Sequence, residues 1–312
     1  MKILVELPTW LGDAVMATPA FENLVNFYNE PEVTLIGSLV AVELFQNHPK
    51  VIKTIIIHKK YKDLYQISRN FKDFHTFFSF RSSFRSKILA FLISSKYKYI
   101  YDKHKFKNQH QVKKYNDFIN KSLNINSLPG ELKINQNSIL PINSQTSLVG
   151  INPGASYGSS KQWIPNEYAQ VAIELSKKYD IIIFGGRDEI NVSKEIENLL
   201  KENGVVNYQN LAGLTSISGL IHNISNLDLF ITGDSGPMHI AASFQIPTVS
   251  IFGPTKDYET SQWKNNKSVI IKKNLDCQPC MKRICPLGHH NCMNLITSDD
   301  VLKAVKSLKL KN

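Results

Sequence analysis

The sequence predicts an α/β protein with two Rossmann-like domains, each built on a mostly parallel sheet. A chain of 312 residues favours about two domains, and a hydrophobic content of 42% is ample for two packed cores. Strand-like and helix-like segments also alternate along both halves of the chain. Such alternation predicts parallel strands, because a right-handed crossover connects one strand to the next.

The first half begins with a predicted strand at 2–7, followed by a helix whose apolar residues recur at spacings of three and four. Pro19 should kink or restart this helix. Alternating or β-branched segments predict further strands at 33–37, 51–57, 74–80 and 97–101.

A stretch rich in Asn, Ser, Gln and Pro predicts a linker at about 124–146. The first domain then covers 1–146 and the second covers 147–312. Ligands in open α/β sheets bind beyond the carboxyl ends of the strands, so a cleft between the two sheets is the expected site. In the second domain strands are predicted at 148–152, 181–184, 227–232 and 248–252, and helices are predicted to start near 165, 188, 216 and 237.

The strongest local signal is the apolar strand at 227–232, which runs into Gly-Asp-Ser-Gly-Pro and then a helical stretch. This layout favours an anion site, in which the backbone N–H groups of Ser235, Gly236 and Met238 point at a phosphate. His239 either donates to a phosphate oxygen or packs. The alternative is an ordinary loop with Asp234 or Ser235 as the N-cap.

A second polar cluster, NPGASYGSSKQW, follows the strand at 148–152. Lys161 could neutralise a diphosphate leaving group while Ser156 donates a hydrogen bond to it, because departure depends on stabilising the developing charge. The order of residues is not that of a P-loop. A plain surface loop is the alternative.

Acidic residues occur at two further helix starts. An N-cap role is the default interpretation of Asp13, and a general base is its alternative. Asp188 or Glu189 could bind ribose hydroxyls, although acids at helix starts are common for dipole reasons.

The net charge of +11 is concentrated in residues 81–121, where eleven Lys or Arg stand against two Asp. This indicates an anionic partner, either nucleic acid, an anionic membrane face or a phosphorylated glycolipid, or else a solvated face. The N-terminus lacks the apolar core of a signal peptide, and the longest apolar run, Ile88–Ile93, is too short to span a bilayer. We therefore expect a cytoplasmic protein without a membrane span.

The four cysteines all lie within 277–292, at Cys277, Cys280, Cys285 and Cys292. This pattern favours a metal site or free thiols over disulfides. Structural zinc and free structural thiols both stay open, because the second half of the cluster lacks the paired spacing of a zinc site. No D-x-D triplet indicates a carboxylate-held cation for catalysis.

Four segments taken together, LPTWLGDAVMATPA, NPGASYGSSKQW, GDSGPMHIAAS and PTVSIFGPT, resemble the ADP-heptose:lipopolysaccharide heptosyltransferases of glycosyltransferase family nine. The block CQPCMKRICPLGHHNCM is similar to the heptosyltransferase II branch. The resemblance implies a GT-B fold, two Rossmann-like domains facing a cleft, with the acceptor on the first domain and ADP-heptose on the second. It also implies an inverting displacement on the first heptose of the lipopolysaccharide or lipooligosaccharide inner core, with no cofactor beyond the donor substrate.

The resemblance assigns roles to single residues. Asp13 resembles the catalytic base, Lys161 the phosphate-binding lysine and Asp234 the carboxylate that contacts the donor sugar. Ser156, Asp188 and Thr215 are similar to donor-binding residues, with adenosine expected near 185–189 and 211–215. The diphosphate cradle would comprise Ser235, Gly236, Pro237, Met238 and His239.

The resemblance also suggests a partner for the basic segment. A phosphorylated lipid A inner core at the cytoplasmic face of the inner membrane would draw Lys103, Lys105 and Lys107 to its anionic surface. Two alternatives are a nucleotide-sugar epimerase of the same fold and a basic nucleic-acid-binding protein. The second lacks any nucleic-acid-binding motif, and a dehydrogenase is disfavoured because no G-x-G-x-x-G follows a strand.

Overall fold

The computed structural model describes residues 1–57, 64, 73–136, 146–308 and 310 of the chain. The chain divides into two compact units, Met1–Ser138 and Ile139–Asn312. The predicted linker and its boundary stay predictions, because residues 137–145 lie outside the described ranges. In the described part of the predicted linker, the Ser127 carbonyl accepts a hydrogen bond from the Asn116 side-chain amide of the first unit at 2.7 Å.

Among its described residues, the first unit contains five strands and five α-helices. The strands are β1 Lys2–Glu6, β2 Glu32–Gly37, β3 Val51–Ile56, β4 Phe74–Ser79 and β5 Ser95–Ile100. The helices are α1 Leu11–Met16, α2 Thr18–Phe27, α3 Leu39–Phe45, α4 Phe84–Leu92 and α5 Gln111–Leu123.

These strands form a parallel sheet in the order β3-β2-β1-β4-β5. β1 lies at the centre, and its residues from Ile3 onward are buried, as a strand covered on both faces requires. The predicted break in the first helix is confirmed, because α1 ends at Met16 and Pro19 lies in the first turn of α2. Proline is tolerated there because the first N–H groups of a helix have no intrahelical partner.

The second unit contains six strands and seven α-helices among its described residues. The strands are β6 Leu148–Asn152, β7 Asp180–Ile183, β8 Tyr208–Asn210, β9 Leu229–Gly233, β10 Thr248–Ile251 and β11 Ser268–Ile271. The helices are α6 Pro165–Ser176, α7 Ile190–Glu202, α8 Ile217–Ser225, α9 Gly236–Ser243, α10 Asp257–Thr260, α11 Asn291–Asn294 and α12 Ser298–Ser307. Short 3₁₀ turns cover Ser159–Lys161 and Arg187–Glu189.

The second sheet is parallel and has the order β8-β7-β6-β9-β10-β11. The chain builds outward from β6 to β8, returns to the middle at β9 and then builds outward on the other side. β6 and β9 therefore flank the topological switch point, where ligands bind in doubly wound sheets. The two polar turns singled out in the sequence follow these two strands.

The predicted strands are confirmed, with ends that shift by one or two residues, but two edge strands were not predicted. β8 has only three residues, Tyr208–Asn210, and two of them are polar. β11 has four residues, Ser268–Ile271, directly after a Lys- and Asn-rich stretch. Segments this short carry too little periodicity to be recognised without the neighbouring strand.

The C-terminal helix belongs to the core of the second unit. Val301 on α12 is fully buried and joins the apolar cluster that contains Trp163 and Tyr168. The Trp163 indole Nε1 donates to the Ile296 carbonyl at 2.9 Å, just before α12 begins. None of the helices in the described part of the chain has the length and apolar character needed to cross a bilayer.

We predict that Gly150→Ala destabilises the second unit. Gly150 lies in β6, and an added Cβ would lie 2.8 Å from ring atoms of Phe184 and Phe230 and 2.5 Å from a Leu227 methyl carbon. Overpacking of this kind costs about 1–3 kcal/mol, measurable as a lower urea midpoint. The control is Gly219→Ala on α8, where the nearest atom lies at 3.4 Å. Equal midpoints for the two variants would contradict the packing described for β6.

Candidate functional site

The loops that follow β6 and β9 are joined at the switch point of the second sheet. Asn152 at the end of β6 lies opposite Thr232 on β9. Its side-chain amide donates to the Thr232 hydroxyl and to the Ser235 hydroxyl, both at 3.2 Å. Because Asn152 and Thr232 are buried, these bonds fix the start of both loops relative to the sheet.

The turn after β9 leads into α9, and its N-cap is Ser235 with φ −145° and ψ 168°. The Ser235 hydroxyl bonds Asn152 and Thr232 and makes no capping bond to the helix. The first N–H groups of α9 are thus left uncapped by that side chain, which is the arrangement of an anion site. Pro237 lies in the first turn, as predicted, and Met238 and His239 are buried.

Lys161 and Asp234 form an ion pair beside this turn. The Lys161 ammonium Nζ donates to Asp234 Oδ2 at 2.5 Å and to the Asp234 carbonyl at 3.1 Å. The Thr255 hydroxyl, after β10, donates to the same carboxylate oxygen at 2.7 Å. The side chains of Lys161 and Asp234 are only 13% and 6% exposed, so water screens this pair weakly.

The pair places a cation next to the uncapped start of α9. Burying two charges costs solvation energy that only good geometry and added hydrogen bonds offset, and Thr255 supplies one such bond. The Lys161 ammonium also contacts an aromatic ring, because its Nζ lies 4.8 Å from the centroid of Tyr157. Thr255 was not predicted as a site residue, although it closes the PTVSIFGPT segment.

Glu189, rather than Asp188, contacts the loop after β6. The Ser156 hydroxyl donates to Glu189 Oε1 at 3.4 Å, and the Gly186 N–H donates to Glu189 Oε2 at 2.5 Å. A Cβ on Gly154 would overlap the Glu189 carboxylate, so that loop passes directly over it. Asp188 is exposed on the same 3₁₀ turn. The sequence named both acids for ribose, and only their three-dimensional contacts separate them.

The two segments expected near adenosine are neighbours. The Gly213 N–H donates to the Gly185 carbonyl at 2.9 Å, and the Leu211 N–H donates to the Ile183 carbonyl at 2.8 Å. These bonds connect the ends of β7 and β8 to the loop that carries Thr215, which is half-buried. The segments thus share the carboxyl edge of the sheet with the Lys161 and Asp234 pair.

Asp13 lies at the carboxyl edge of the first sheet, after β1. The N-cap of α1 is Trp10, and Asp13 is its third residue, so the N-cap interpretation of Asp13 is wrong. The Asp13 side chain is half-buried. Burial and the nearby charge of Asp13 hold the pKa of the Tyr115 phenol well above its usual range.

A buried acid missed by the sequence interpretation ends β1. Glu6 accepts hydrogen bonds from the hydroxyls of Ser79 at 2.5 Å and Ser86 at 3.1 Å, and an Arg81 guanidinium nitrogen lies 3.4 Å away. Burial raises the pKa of Glu6, although the Ser79 bond and the Arg81 charge oppose that shift. In the sequence it reads as one more residue of an apolar strand.

The basic residues Lys103, Lys105 and Lys107 lie in the loop after β5 and all are exposed. The Lys105 N–H donates to the Asp102 carbonyl at 3.1 Å, and the Tyr101 and Phe106 rings stack at 6.0 Å. This loop follows the carboxyl end of β5, and the segment that carries Asp13 follows the carboxyl end of β1 in the same way. Cationic side chains therefore border the edge at which ligands bind in such sheets.

None of the four cysteines is in a disulfide, and all four border one small space with His289 and His290. A backbone N–H bond from His290, with others from Leu287, Gly288 and His289, lowers the pKa of Cys285. Burial raises the pKa of Cys292 to about 11. In the described ranges no group of three or more His, Cys, Asp or Glu is arranged to hold a metal ion, so structural zinc stays a sequence prediction.

Comparison with known proteins decides the family. The model of "Glycosyltransferase family 9 (heptosyltransferase)" matches residues 77–291. The lipooligosaccharide heptosyltransferase 2 of Campylobacter jejuni subsp. jejuni serotype O:2 is 42% identical over 321 aligned residues, covering 100% of this chain and 99% of the relative. The chain belongs to glycosyltransferase family 9. It is an enzyme, a heptosyltransferase, and the epimerase and nucleic-acid-binding alternatives gain no support.

Other family 9 proteins match over nearly the whole length. The lipopolysaccharide heptosyltransferase 2 of Escherichia coli (strain K12) is 23% identical, covering 100% of this chain and 99% of the relative. The structure of E. coli ADP-heptose lipopolysaccharide heptosyltransferase II has a TM-score of 0.80 at 22% identity, covering 99% of this chain and 98% of that one. A family 9 glycosyltransferase from Veillonella parvula DSM 2008 has a TM-score of 0.81 at 19% identity, with coverages of 100% and 97%. The predicted GT-B fold of α/β type is confirmed.

The structure brings together part of the predicted family 9 site. In the second unit, Lys161 and Asp234 are in contact, and the turn from Ser235 to His239 begins α9 beside them. Ser156 lies against Glu189, at the side of the same loop. Asp13 and the three lysines belong to the first unit, where both follow carboxyl ends of strands.

Proposed function

We propose that this family 9 enzyme transfers heptose from ADP-heptose to the first heptose of a lipopolysaccharide or lipooligosaccharide inner core. The observation that carries the proposal is the Lys161–Asp234 pair beside the uncapped start of α9, at the switch point of a doubly wound sheet. The relatives' printed names, lipooligosaccharide and lipopolysaccharide heptosyltransferase 2, support this choice of acceptor. The proposed reaction needs donor and acceptor only, without a further cofactor.

On the donor side, the diphosphate would accept hydrogen bonds from the backbone N–H groups of Ser235, Gly236 and Met238. Lys161 would neutralise the charge that develops on the β-phosphate as the glycosidic bond breaks, which lowers the barrier to departure. Asp234 orients Lys161 and is proposed to accept a bond from a hydroxyl of the donor sugar. The ribose would lie against Glu189 and Ser156, which already contact each other.

On the acceptor side, Asp13 is proposed as the general base. The acceptor hydroxyl attacks the anomeric carbon of the donor, the C–O bond to ADP breaks, and the hydroxyl proton passes to the Asp13 carboxylate. An aspartate is a weak base toward a hydroxyl, so the proton moves late, when the attacking oxygen has become acidic. One displacement inverts the anomeric configuration.

We predict that Asp13→Asn abolishes turnover and leaves ADP affinity nearly unchanged, because an amide cannot accept the proton. Rates should fall about 100- to 10,000-fold, the range of general-base contributions. The matched control is Asp117→Asn on α5, where the carboxylate accepts a bond from Gln109 at 2.7 Å. Mass spectrometry of the glycolipid product measures turnover. Activity of Asp13→Asn equal to that of the control would remove Asp13 from the role of base.

We predict that Lys161→Ala weakens both ADP binding and turnover. A lost charge-assisted bond to phosphate corresponds to an affinity about 10- to 100-fold lower. Titration calorimetry with ADP measures it, with the exposed Lys178→Ala as a control that changes the net charge equally. Unchanged ADP affinity in Lys161→Ala would rule out a diphosphate contact from this residue.

We further propose that the enzyme works in the cytoplasm as a peripheral protein at the inner face of the inner membrane. The exposed lysines after β5 support this proposal, since each basic residue near an anionic surface contributes about 1 kcal/mol of attraction. The phosphorylated acceptor and the surrounding anionic lipids would share this attraction.

The prediction for this loop uses Lys103→Gln, Lys105→Gln and Lys107→Gln together. Binding to vesicles containing anionic lipid should weaken at least about 10-fold in a sedimentation assay, and the acceptor KM should rise while the donor KM stays the same. The control changes three exposed lysines of the second unit, Lys177, Lys178 and Lys194, to Gln. If both triple variants lose vesicle binding equally, net charge rather than this loop is responsible.

A further inference from the structure

The cysteine-rich segment, residues 277–292, is hydrogen-bonded to the loop that carries Lys161. Three consecutive carbonyls, those of Met281, Lys282 and Arg283, accept hydrogen bonds from this loop. The Tyr157 hydroxyl donates to the Met281 carbonyl at 2.8 Å. The Ser160 hydroxyl donates to the Lys282 carbonyl at 2.6 Å, and the Ser160 N–H donates to the Arg283 carbonyl at 3.1 Å. Ser160 is buried, so its side chain and backbone are both committed to this contact.

Two further contacts tighten the same junction. The His290 ring Nε2 donates to the Ser160 carbonyl at 2.7 Å. Gly158 adopts a φ of +154°, and a Cβ there would overlap the Arg283 carbonyl oxygen. Glycine is needed at this position both for its backbone conformation and for the close approach of the second chain segment. The backbone of Arg283 is therefore fixed relative to Lys161.

The Arg283 side chain extends to the same ring as Lys161. Its guanidinium carbon lies 5.4 Å from the centroid of the Tyr157 ring, and the Lys161 Nζ lies 4.8 Å from it. Arg283 is exposed, whereas Lys161 is almost buried in its pair with Asp234. The Tyr157 ring thus lies close to two cations, Lys161, which is paired with Asp234, and Arg283, which faces solvent.

Lys161 alone has too few unused hydrogen-bond donors to satisfy a diphosphate. An ammonium has three N–H donors, and Asp234 occupies two of them through its carboxylate and its carbonyl. One donor is left for a diphosphate that carries at least two negative charges. An arginine offers a planar fork that bonds two phosphate oxygens at once, without giving up an existing ion pair.

We propose that Arg283 is a second cation of the donor diphosphate site, placed there by the cysteine-rich segment and oriented by Tyr157. This inference rests on the proposed function, because it assigns a further binding residue to the same ADP-heptose site. Arg283 contacts the diphosphate, whereas the carbonyls of residues 281–283 position it and the Lys161 loop together.

The test compares Arg283→Gln with Lys282→Gln. Both variants remove one exposed positive charge from the same segment and keep the carbonyls that bond Tyr157 and Ser160. Titration calorimetry should show ADP affinity about 10- to 100-fold lower in Arg283→Gln and within about twofold of wild type in Lys282→Gln. AMP affinity should fall less than ADP affinity, because AMP lacks the second phosphate. Arg283→Lys should recover part of the ADP affinity.

Steady-state kinetics add a readout that a purely structural role would not give. Donor KM should rise in Arg283→Gln with an unchanged acceptor KM, and its unfolding temperature should match that of Lys282→Gln. Equal ADP affinities in the two variants would overturn the assignment of Arg283. If Lys161→Ala lowers ADP affinity and Arg283→Gln does not, only this inference fails; if wild type does not bind ADP, the proposed function fails with it.

Discussion

The ion pair between Lys161 and Asp234 is the interaction on which the second unit's site depends. It joins the loop after β6 to the turn after β9, the two strands that flank the switch point. Removal of either partner leaves a nearly buried charge without its counter-ion, which is far more costly than losing a surface pair. The pair therefore holds the loops together while keeping a cation at the start of α9.

The cysteine-rich segment is hydrogen-bonded to both loops that contact this ion pair. It accepts three hydrogen bonds from the Lys161 loop, and its Gln278 side chain and Met281 N–H donate to the carbonyls of Gly253 and Pro254, next to Thr255. Both loops that orient the Asp234 carboxylate are thus attached to one segment. This attachment gives the CQPCMKRICPLGHHNCM block a physical role in the donor site that does not depend on whether its thiols bind a metal.

The fold and the most local part of the site could be predicted from the sequence. Parallel sheets follow from alternating elements, and the turn from Gly233 to Pro237 carries its own signal, because glycine, proline and a preceding apolar strand are neighbours in the chain. For Asp13 the sequence leaves an N-cap and a general base open, and only the resemblance favours the base; the structure places the N-cap at Trp10.

Residues that depend on distant contacts could not be predicted. Thr255 and Arg283 look like ordinary loop residues until the fold brings Asp234 against Thr255 and Tyr157 against Arg283. Glu189 could be named beside Asp188, but only its contact with Ser156 separates the two acids. Glu6 is hidden for the same reason, since its partners Ser79 and Ser86 lie more than 70 positions away in the chain. Edge strands β8 and β11 were missed because their length is too short for a periodic pattern.

Solving a crystal structure of the protein in complex with ADP would test the placement of the donor site most directly. We expect the diphosphate oxygens within hydrogen-bond distance of Lys161 Nζ and of the N–H groups at the start of α9, with the ribose against Glu189. Phosphates bound away from both Lys161 and the start of α9 would contradict the placement of the donor site at the junction of β6 and β9.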